Sequence, residues 1–175
     1  MSGHNKWSKI KRQKEKTDGQ KSKIFSKLLR MISVEVKLAQ GNASSPGVRT
    51  AIEKAREANV PNENIERAIK RANETGENLE TVTYEAYGPG GSALIIEALT
   101  SNRNKAAQEI KHILSEFNIA LASIGSATWA FEKKAGEWIP STTVTLSGEE
   151  GEKLEEIIEA LEENDEVQSV FTNAE

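Results

Sequence analysis

The spacing of apolar residues divides the chain into a helical first part and a second part in which strands and helices alternate. Apolar residues recur at three- and four-residue intervals over 24–39, 48–55 and 65–72, which is the helical repeat. We therefore predict three helices. The first ends at Gly41, and the second begins at Ser45-Pro46 with a serine cap and a first-turn proline.

Beyond Asn78 the apolar repeat changes from the helical period to a period of two, which indicates strands. In order, the pattern predicts a strand over 81–87, a glycine turn over 88–91, a strand over 93–96, a helix after Lys105, a loop over 120–126, a strand over 127–131, a turn over 134–136, an edge segment over 137–140, a strand over 142–146, a helix opened by a Ser147 and Glu150 capping box, and a last strand over 167–171. Trp129 and Phe131 would share one face of their strand, so we expect both in the core.

This succession of elements predicts an α+β protein with two domains. Residues 1–76 would form a basic arm and a three-helix domain. Residues 79–175 would form a ferredoxin-like α/β domain with an extra strand at its start. The linker between them contains Gly76.

Composition removes several classes of function. The 175-residue chain contains no cysteine, and His4 and His112 are its two histidines, so thiolate chemistry, disulfides and zinc frameworks are not expected. No metal or cofactor is predicted. The sequence has no apolar run of membrane-spanning length and no apolar signal segment, so we expect a cytoplasmic protein without a membrane partner.

Charge is distributed very unevenly, although the formal net charge is only −4. Residues 1–30 contain ten basic and two acidic residues, a net charge of +8, whereas residues 149–175 contain eleven acidic residues and one basic residue. A local cluster of this kind attracts polyanions whatever the overall pI. Trp7 lies among the first lysines and adds a flat ring that can stack on a base.

These features predict a nucleic-acid interface. Its candidate residues are His4, Lys6, Trp7, Lys9, Lys11, Arg12, Lys14, Lys21 and Lys23 in the arm and first helix, Arg67, Lys70 and Arg71 on the third helix, and Arg103 at a helix start. Each group has a plainer alternative: a solvated tail for the arm, a solvated face for the third helix, and simple capping by Ser101 or Asn102 near Arg103.

No catalytic motif accompanies the basic residues. Gly125-Ser126-Ala127 is not a nucleophile elbow, and the glycines of 88–91 lie between strands and lack the Lys-Ser/Thr ending of a phosphate-binding loop. We therefore expect a protein that is not an enzyme.

Several short segments together resemble the YebC/PmpR family, which includes the mitochondrial translational activator of cytochrome oxidase. They are Gly3-His4-Asn5-Lys6-Trp7, residues 25–29, residues 64–71, Tyr87-Gly88-Pro89-Gly90-Gly91, Asn102-Arg103-Asn104, Gly125-Ser126-Ala127 and residues 167–173. The resemblance implies a helical domain followed by α/β domains and a role in gene expression. Members of this family are described as DNA-binding transcriptional regulators or as ribosome-associated translation factors. By similarity, the arm and Arg67, Lys70 and Arg71 would contact nucleic acid.

The sequence departs from the family pattern in one place. Family members usually carry a further α/β domain between the strand near Phe131 and a Pro-x-Thr-Thr segment, whereas here residues 132–138 join the two almost directly. The resemblance therefore implies a short form without the third domain.

Two functions follow from these observations. The first is a nucleic-acid-binding regulator whose target is DNA, ribosomal RNA or the ribosome. The second is an adaptor whose arm docks on an acidic partner protein. Because Lys and Arg bind both nucleic acids, the sequence leaves DNA and RNA open, and it leaves the oligomeric state open as well.

Overall fold

The computed structural model describes residues 18–74 and 78–175, which divide into two compact units. The first unit is helical, runs to Glu80 and includes Leu99–Ser101. The second comprises Thr81–Ala98 and Asn102–Glu175 and combines strands with helices. The predicted α+β class is confirmed. No helix in the described ranges is long and apolar enough to span a membrane.

Three helices form the first unit, as the apolar spacing predicts: α1 (Asp18–Leu38), α2 (Pro46–Glu57) and α3 (Asn62–Glu74). Ser45 caps α2, its hydroxyl oxygen accepting the Val48 N–H at 3.4 Å, and Pro46 occupies the first turn. The apolar stripes meet in one core, which consists of Ile32, Val36, Val48, Ala51, Ala55, Val60, Ile65 and Ala72.

Gly41 ends the turn that follows α1 and fixes how α1 and α3 approach each other. Its backbone has a φ of +83°, and a Cβ added there would lie 2.9 Å from the Asn73 Oδ1 atom. Glycine avoids both the strain and the clash. The C-terminal ends of α1 and α3 therefore lie side by side.

The second unit contains six strands and two helices. They are β1 (Glu80–Tyr87), β2 (Ala93–Thr100), α4 (Arg103–Glu116), β3 (Leu121–Ala122), β4 (Phe131–Lys134), β5 (Glu137–Pro140), α5 (Gly148–Glu163) and β6 (Val167–Thr172). Four strands form one sheet in the order β3-β1-β2-β6, so the extra first strand lies inside the sheet. Strands β4 and β5 pair antiparallel in a sheet of their own.

Strand β2 is buried along almost its whole length because both of its faces are covered. Leu94 and Ile96 pack with Ile110 of α4 and Leu154 of α5 on one side of the sheet. On the other side, Ala93 and Ile95 pack with Ala127, Ala130, Phe131, Trp138 and Phe171. The small β4-β5 sheet therefore covers a face that the helices leave open.

Three predictions for the second unit are wrong in part. The loop over 120–126 contains β3, which pairs with Glu85 and Ala86 of β1. Residues 127–131 do not form one strand, because Thr128–Ala130 form a 3-10 turn that leaves Trp129 61% exposed and Phe131 7% exposed. The segment 142–146 makes only one bridge, between Val144 and Ala174.

The Asn173 side chain explains why the segment 142–146 is held without forming a regular strand. The buried Asn173 amide accepts the Ala93 N–H at 2.7 Å and donates to the Thr142 carbonyl oxygen at 3.0 Å. Backbone hydrogen bonds from Val144 N–H to Asn173 and from Glu175 N–H to Val144, both 2.9 Å, complete the attachment.

The glycine turn after β1 is confirmed as a turn. Gly90 has a φ of +65°, and a Cβ there would lie 2.5 Å from a Leu146 methyl carbon. The Gly88 N–H donates to the Ser92 carbonyl oxygen at 2.8 Å, which closes the turn. Backbone conformation and close packing at Gly90 therefore account for a glycine at this position.

The predicted capping box at the start of α5 is confirmed and leads to a pH-dependent contribution to stability. The Ser147 N–H donates to the Glu150 carboxylate at 2.9 Å, and this hydrogen bond is the main reason that the Glu150 pKa is lowered from 4.5. A lowered pKa stabilises the fold above the unfolded-state value, and this contribution is lost as the pH falls through the folded-state value.

We expect Ser147→Ala to reduce the free energy of unfolding by about 1 kcal/mol at neutral pH, because the start of α5 loses its cap. The serine hydroxyl also lowers the Glu150 pKa, and the variant lacks it. When the pH is lowered below 4.5, the free energy of unfolding should therefore decrease less in the variant than in the parent. Urea unfolding at neutral and acidic pH measures both effects. Glu152→Gln, an exposed site on the same helix, is the control, and equal acid sensitivity of parent and Ser147→Ala would contradict the assignment.

Candidate nucleic-acid interface

The predicted interface is only partly within the described structure. His4, Lys6, Trp7, Lys9, Lys11, Arg12 and Lys14 lie outside the described residues. Lys21, Lys23, Arg67, Lys70, Arg71 and Arg103 lie within them, so the geometry of the candidate site is built from these six.

Lys21 and Lys23 lie in the first turns of α1. Lys21 is exposed and Lys23 is half-buried. Further along the helix, Phe25, Leu28 and Leu29 pack against the three-helix core. The start of α1 therefore carries positive charge on a helix whose apolar side is anchored.

Arg67, Lys70 and Arg71 all lie on the exposed side of α3, because the helical repeat turns Ile65 and Ala72 into the core. Arg67 pairs with Glu63 at 2.8 Å, and Lys70 approaches Glu74 at 3.9 Å. These four side chains are 60–81% exposed. Exposed pairs of this kind contribute roughly 0–1 kcal/mol, so a polyanion can replace the acidic partners at little cost.

The two groups of cations stand at different ends of α1. Gly41, which follows α1, contacts Asn73, which is close to Lys70 and Arg71 in α3. Lys21 lies in the first turn of α1, a helix of 21 residues, and such a helix spans roughly 30 Å. The structure therefore does not bring Lys21 and Lys23 next to Lys70 and Arg71.

Arg103 begins α4, where the structure shows a capped helix. The Asn102 side chain accepts the Lys105 N–H at 3.1 Å, and the Arg103 carbonyl oxygen accepts the Tyr84 hydroxyl at 3.2 Å. The Lys105 ammonium lies 3.7 Å from Glu109 and 3.6 Å from Glu166. Capping by Asn102, the plainer alternative, is therefore present at this helix start, and a contact of Arg103 with nucleic acid stays a prediction.

Sequence reasoning missed a buried carboxylate in the second unit. Glu85 is 4% exposed and lies on β1. Its two oxygens accept three backbone N–H groups, from Gly125 at 2.7 Å, Ala127 at 2.7 Å and Thr128 at 3.0 Å. The Gly125-Ser126-Ala127 motif thus folds around Glu85. In the sequence, the resemblance of this motif to the family pattern was the signal that pointed to the loop.

Two exposed aromatic side chains lie beside this loop. The Trp129 indole N–H donates to the Tyr87 hydroxyl oxygen at 2.8 Å. The Tyr87 hydroxyl in turn donates to the Ser126 carbonyl oxygen. Both rings are therefore fixed to the loop that Glu85 holds.

Two profiles of known protein families match nearly the whole chain. Residues 5–75 match a family profile described as the TACO1/YebC protein N-terminal domain. Residues 79–136 and 135–174 match a profile described as the TACO1/YebC second and third domain.

Curated relatives and a solved structure agree with these matches. A protein of Fervidobacterium nodosum called "Probable transcriptional regulatory protein" is 37% identical over an alignment of 235 positions, covering 99% of this chain and 93% of the relative. One of Thermoanaerobacter pseudethanolicus with the same description is 38% identical, covering 100% and 97%. The crystal structure of the conserved hypothetical protein Aq1575 from Aquifex aeolicus has a TM-score of 0.84 and 31% identity, covering 97% of this chain and 96% of Aq1575.

The alignments also locate what this chain lacks. An alignment of 235 positions exceeds the 175 residues of the chain by 60, so at least 60 positions of the Fervidobacterium relative face a gap. The two segments matching the second-and-third-domain profile meet at Ala135-Gly136. These two residues have φ values of +50° and +83° and form the turn between β4 and β5. This agrees with the predicted absence of the inserted domain.

Proposed function

Because this chain belongs to the TACO1/YebC family, we propose that it is a regulator of gene expression that acts by binding nucleic acid and catalyses no reaction. The names of the curated relatives support the regulatory role. The observation that carries the binding role is the group of Arg67, Lys70 and Arg71 on the exposed side of α3, a helix whose other side is fixed in a core. The +8 charge of residues 1–30 adds to it.

The proposed contacts are to phosphates more than to base edges. The exposed side of α3 carries Glu63, Glu66 and Glu74 as well as its three bases, and Glu63 lies in the first turn. A recognition helix places its N-terminal residues in the major groove, where acidic side chains are repelled by flanking phosphates. We therefore propose backbone contacts with weak sequence preference, which favours structured or ribosomal RNA over a DNA operator.

A pair of matched triple variants tests the role of α3. We expect Arg67→Gln/Lys70→Gln/Arg71→Gln to weaken nucleic-acid binding and to reduce the slope of log K against log salt by about 1 to 3, since each phosphate contact contributes about 0.9. Arg49→Gln/Lys54→Gln/Arg56→Gln removes three exposed bases from α2 and is the control for net charge. Fluorescence anisotropy with duplex DNA and with structured RNA measures both slopes. A parent-like slope for the α3 variant would exclude α3 from the interface.

The alternative function, an adaptor that docks on an acidic partner protein, predicts a different result. If the arm docks on an acidic partner protein, the complex recovered from cells should survive treatment with ribonuclease and deoxyribonuclease. Binding through phosphates should be lost when the matching nuclease is added. Recovery with and without each nuclease therefore separates the two functions and also distinguishes RNA from DNA.

A further inference from the structure

A small apolar patch surrounds the Gly125-Ser126-Ala127 loop. Among the described residues, the exposed large apolar side chains include Tyr87, Ile124 and Trp129, which are 38%, 97% and 61% exposed. Ile124 directly precedes the loop, Trp129 lies in the 3-10 turn that follows it, and Tyr87 is hydrogen-bonded to Ser126 and to Trp129. We call Tyr87 and Trp129 the aromatic platform.

The platform is held in place before any ligand arrives. Glu85 fixes the loop through its three backbone hydrogen bonds. Residue Trp129 follows directly on Thr128, one of the three donors. A ring that is already positioned loses little conformational entropy on binding.

The polar atoms of the platform are already satisfied within the protein. The indole N–H of Trp129 is bonded to Tyr87, and the Tyr87 hydroxyl is bonded to Ser126. What Trp129 offers to a ligand is therefore ring surface and not a hydrogen-bonding edge. Flat ring surface suits another flat ring, which prefers an offset stacked arrangement.

The surrounding sequence carries no charge. Residues 117–131 contain no Asp, Glu, Lys or Arg in a chain that is 29% charged. A charged group that does contact the loop is the buried Glu85 carboxylate, which offers a phosphate no attraction. A ligand here would therefore be recognised through an uncharged aromatic group.

We propose that Trp129 stacks on an unpaired base of single-stranded nucleic acid, a second contact that rests on the proposed nucleic-acid-binding function. The exposed parts of Tyr87, Ile124 and Trp129 supply less than the roughly 800 Å² that each partner contributes to a standard protein interface. A base presents a small, flat, uncharged face that matches the platform. In a duplex such faces are covered by neighbouring pairs, so the ligand is single-stranded.

The test measures binding of a fluorescein-labelled oligouridylate to the full chain by anisotropy. We expect Trp129→Ala to weaken binding by about 5- to 100-fold, the range for one stacked base. Trp129→Phe should retain most of the affinity, since it keeps a flat ring. Trp129→Leu should lose as much as alanine, because it is apolar but not flat. The slope of log K against log salt should match the parent in all three, because no phosphate contact changes.

Several outcomes would overturn the inference. Parent-like binding by Trp129→Ala would exclude stacking, whereas parent-like binding by Trp129→Leu would indicate a general apolar contact such as a protein partner makes. A flatter salt slope in Trp129→Ala would mean that phosphates are involved. If the parent binds in a salt-dependent way and the variants bind with the same affinity as the parent, the stacking proposal is wrong but the proposed nucleic-acid-binding function stands. If the parent binds no nucleic acid, the proposed function fails with it. Circular dichroism of each variant checks that the fold is retained.

Discussion

Replacing Glu85 with alanine should reduce the free energy of unfolding by about 3 to 5 kcal/mol, because it leaves three backbone N–H groups without their acceptor in a buried site. The carboxylate is 4% exposed and its three hydrogen bonds measure 2.7, 2.7 and 3.0 Å. A loss of this size is a large share of the roughly 5–15 kcal/mol that stabilises a typical domain.

Urea unfolding at neutral pH measures the Glu85→Ala effect. Glu85→Gln should lose less, since one amide oxygen can still accept hydrogen bonds while the amide nitrogen faces donors. Glu137→Ala, at an exposed position on β5, should stay within about 0.5 kcal/mol of the parent. Amide exchange at Gly125, Ala127 and Thr128 should accelerate in Glu85→Ala. A stability within about 1 kcal/mol of the parent would show that the loop does not depend on this carboxylate.

Deleting Met1–Arg12 should remove most of the salt dependence of nucleic-acid binding. The deletion takes away Lys6, Lys9, Lys11 and Arg12. If the intact chain neutralises about six phosphates, log K should fall with log salt with a slope near −5, and loss of four contacts should bring the slope near −2. Between about 50 and about 200 mM salt, affinity should then fall about 1,000-fold for the intact chain and about 10-fold for the deletion.

A second variant separates charge from length in this deletion. Changing the same four bases to glutamine keeps the chain length and Trp7. If counterion release is the mechanism, this variant should show the same reduced slope as the deletion. An intact-chain slope retained by both variants would exclude the arm from the interface.

Local signals in the sequence were sufficient for the helices. Ser45-Pro46, Gly41 and the Ser147 and Glu150 pair are caps that act within one turn, so the residues themselves specify where α1 ends and where α2 and α5 begin. The exposed side of α3 follows from the same repeat that buries Ile65 and Ala72.

The strands that were predicted wrongly depend on distant residues. Trp129 and Phe131 alternate as strand residues do, yet Glu85, more than 40 positions earlier, takes the N–H groups of Ala127 and Thr128. Their backbone is thereby drawn into a turn, which leaves Trp129 exposed. Likewise Asn173 takes the Thr142 carbonyl oxygen from across the chain. A periodic pattern contains no information about such contacts.

The sequence predicted which residues could form the candidate interface, but not how they are arranged in space. Charge alone selected Lys21, Lys23, Arg67, Lys70 and Arg71. Their separation along α1 depends on the Gly41 and Asn73 contact, which joins two helices and has no local signature. The aromatic platform was not predicted, because exposure of Trp129 depends on the Glu85 hydrogen bonds.

The most direct test of nucleic-acid binding is sedimentation of cell extract through a sucrose gradient, with no nuclease, with ribonuclease or with deoxyribonuclease. We expect the intact chain to sediment with large particles and to return to the top of the gradient with one nuclease, whose identity names the nucleic acid. The form lacking Met1–Arg12 should stay at the top throughout. An intact chain that stays at the top without nuclease, or that sediments equally with and without both enzymes, would contradict nucleic-acid binding as the basis of this protein's function.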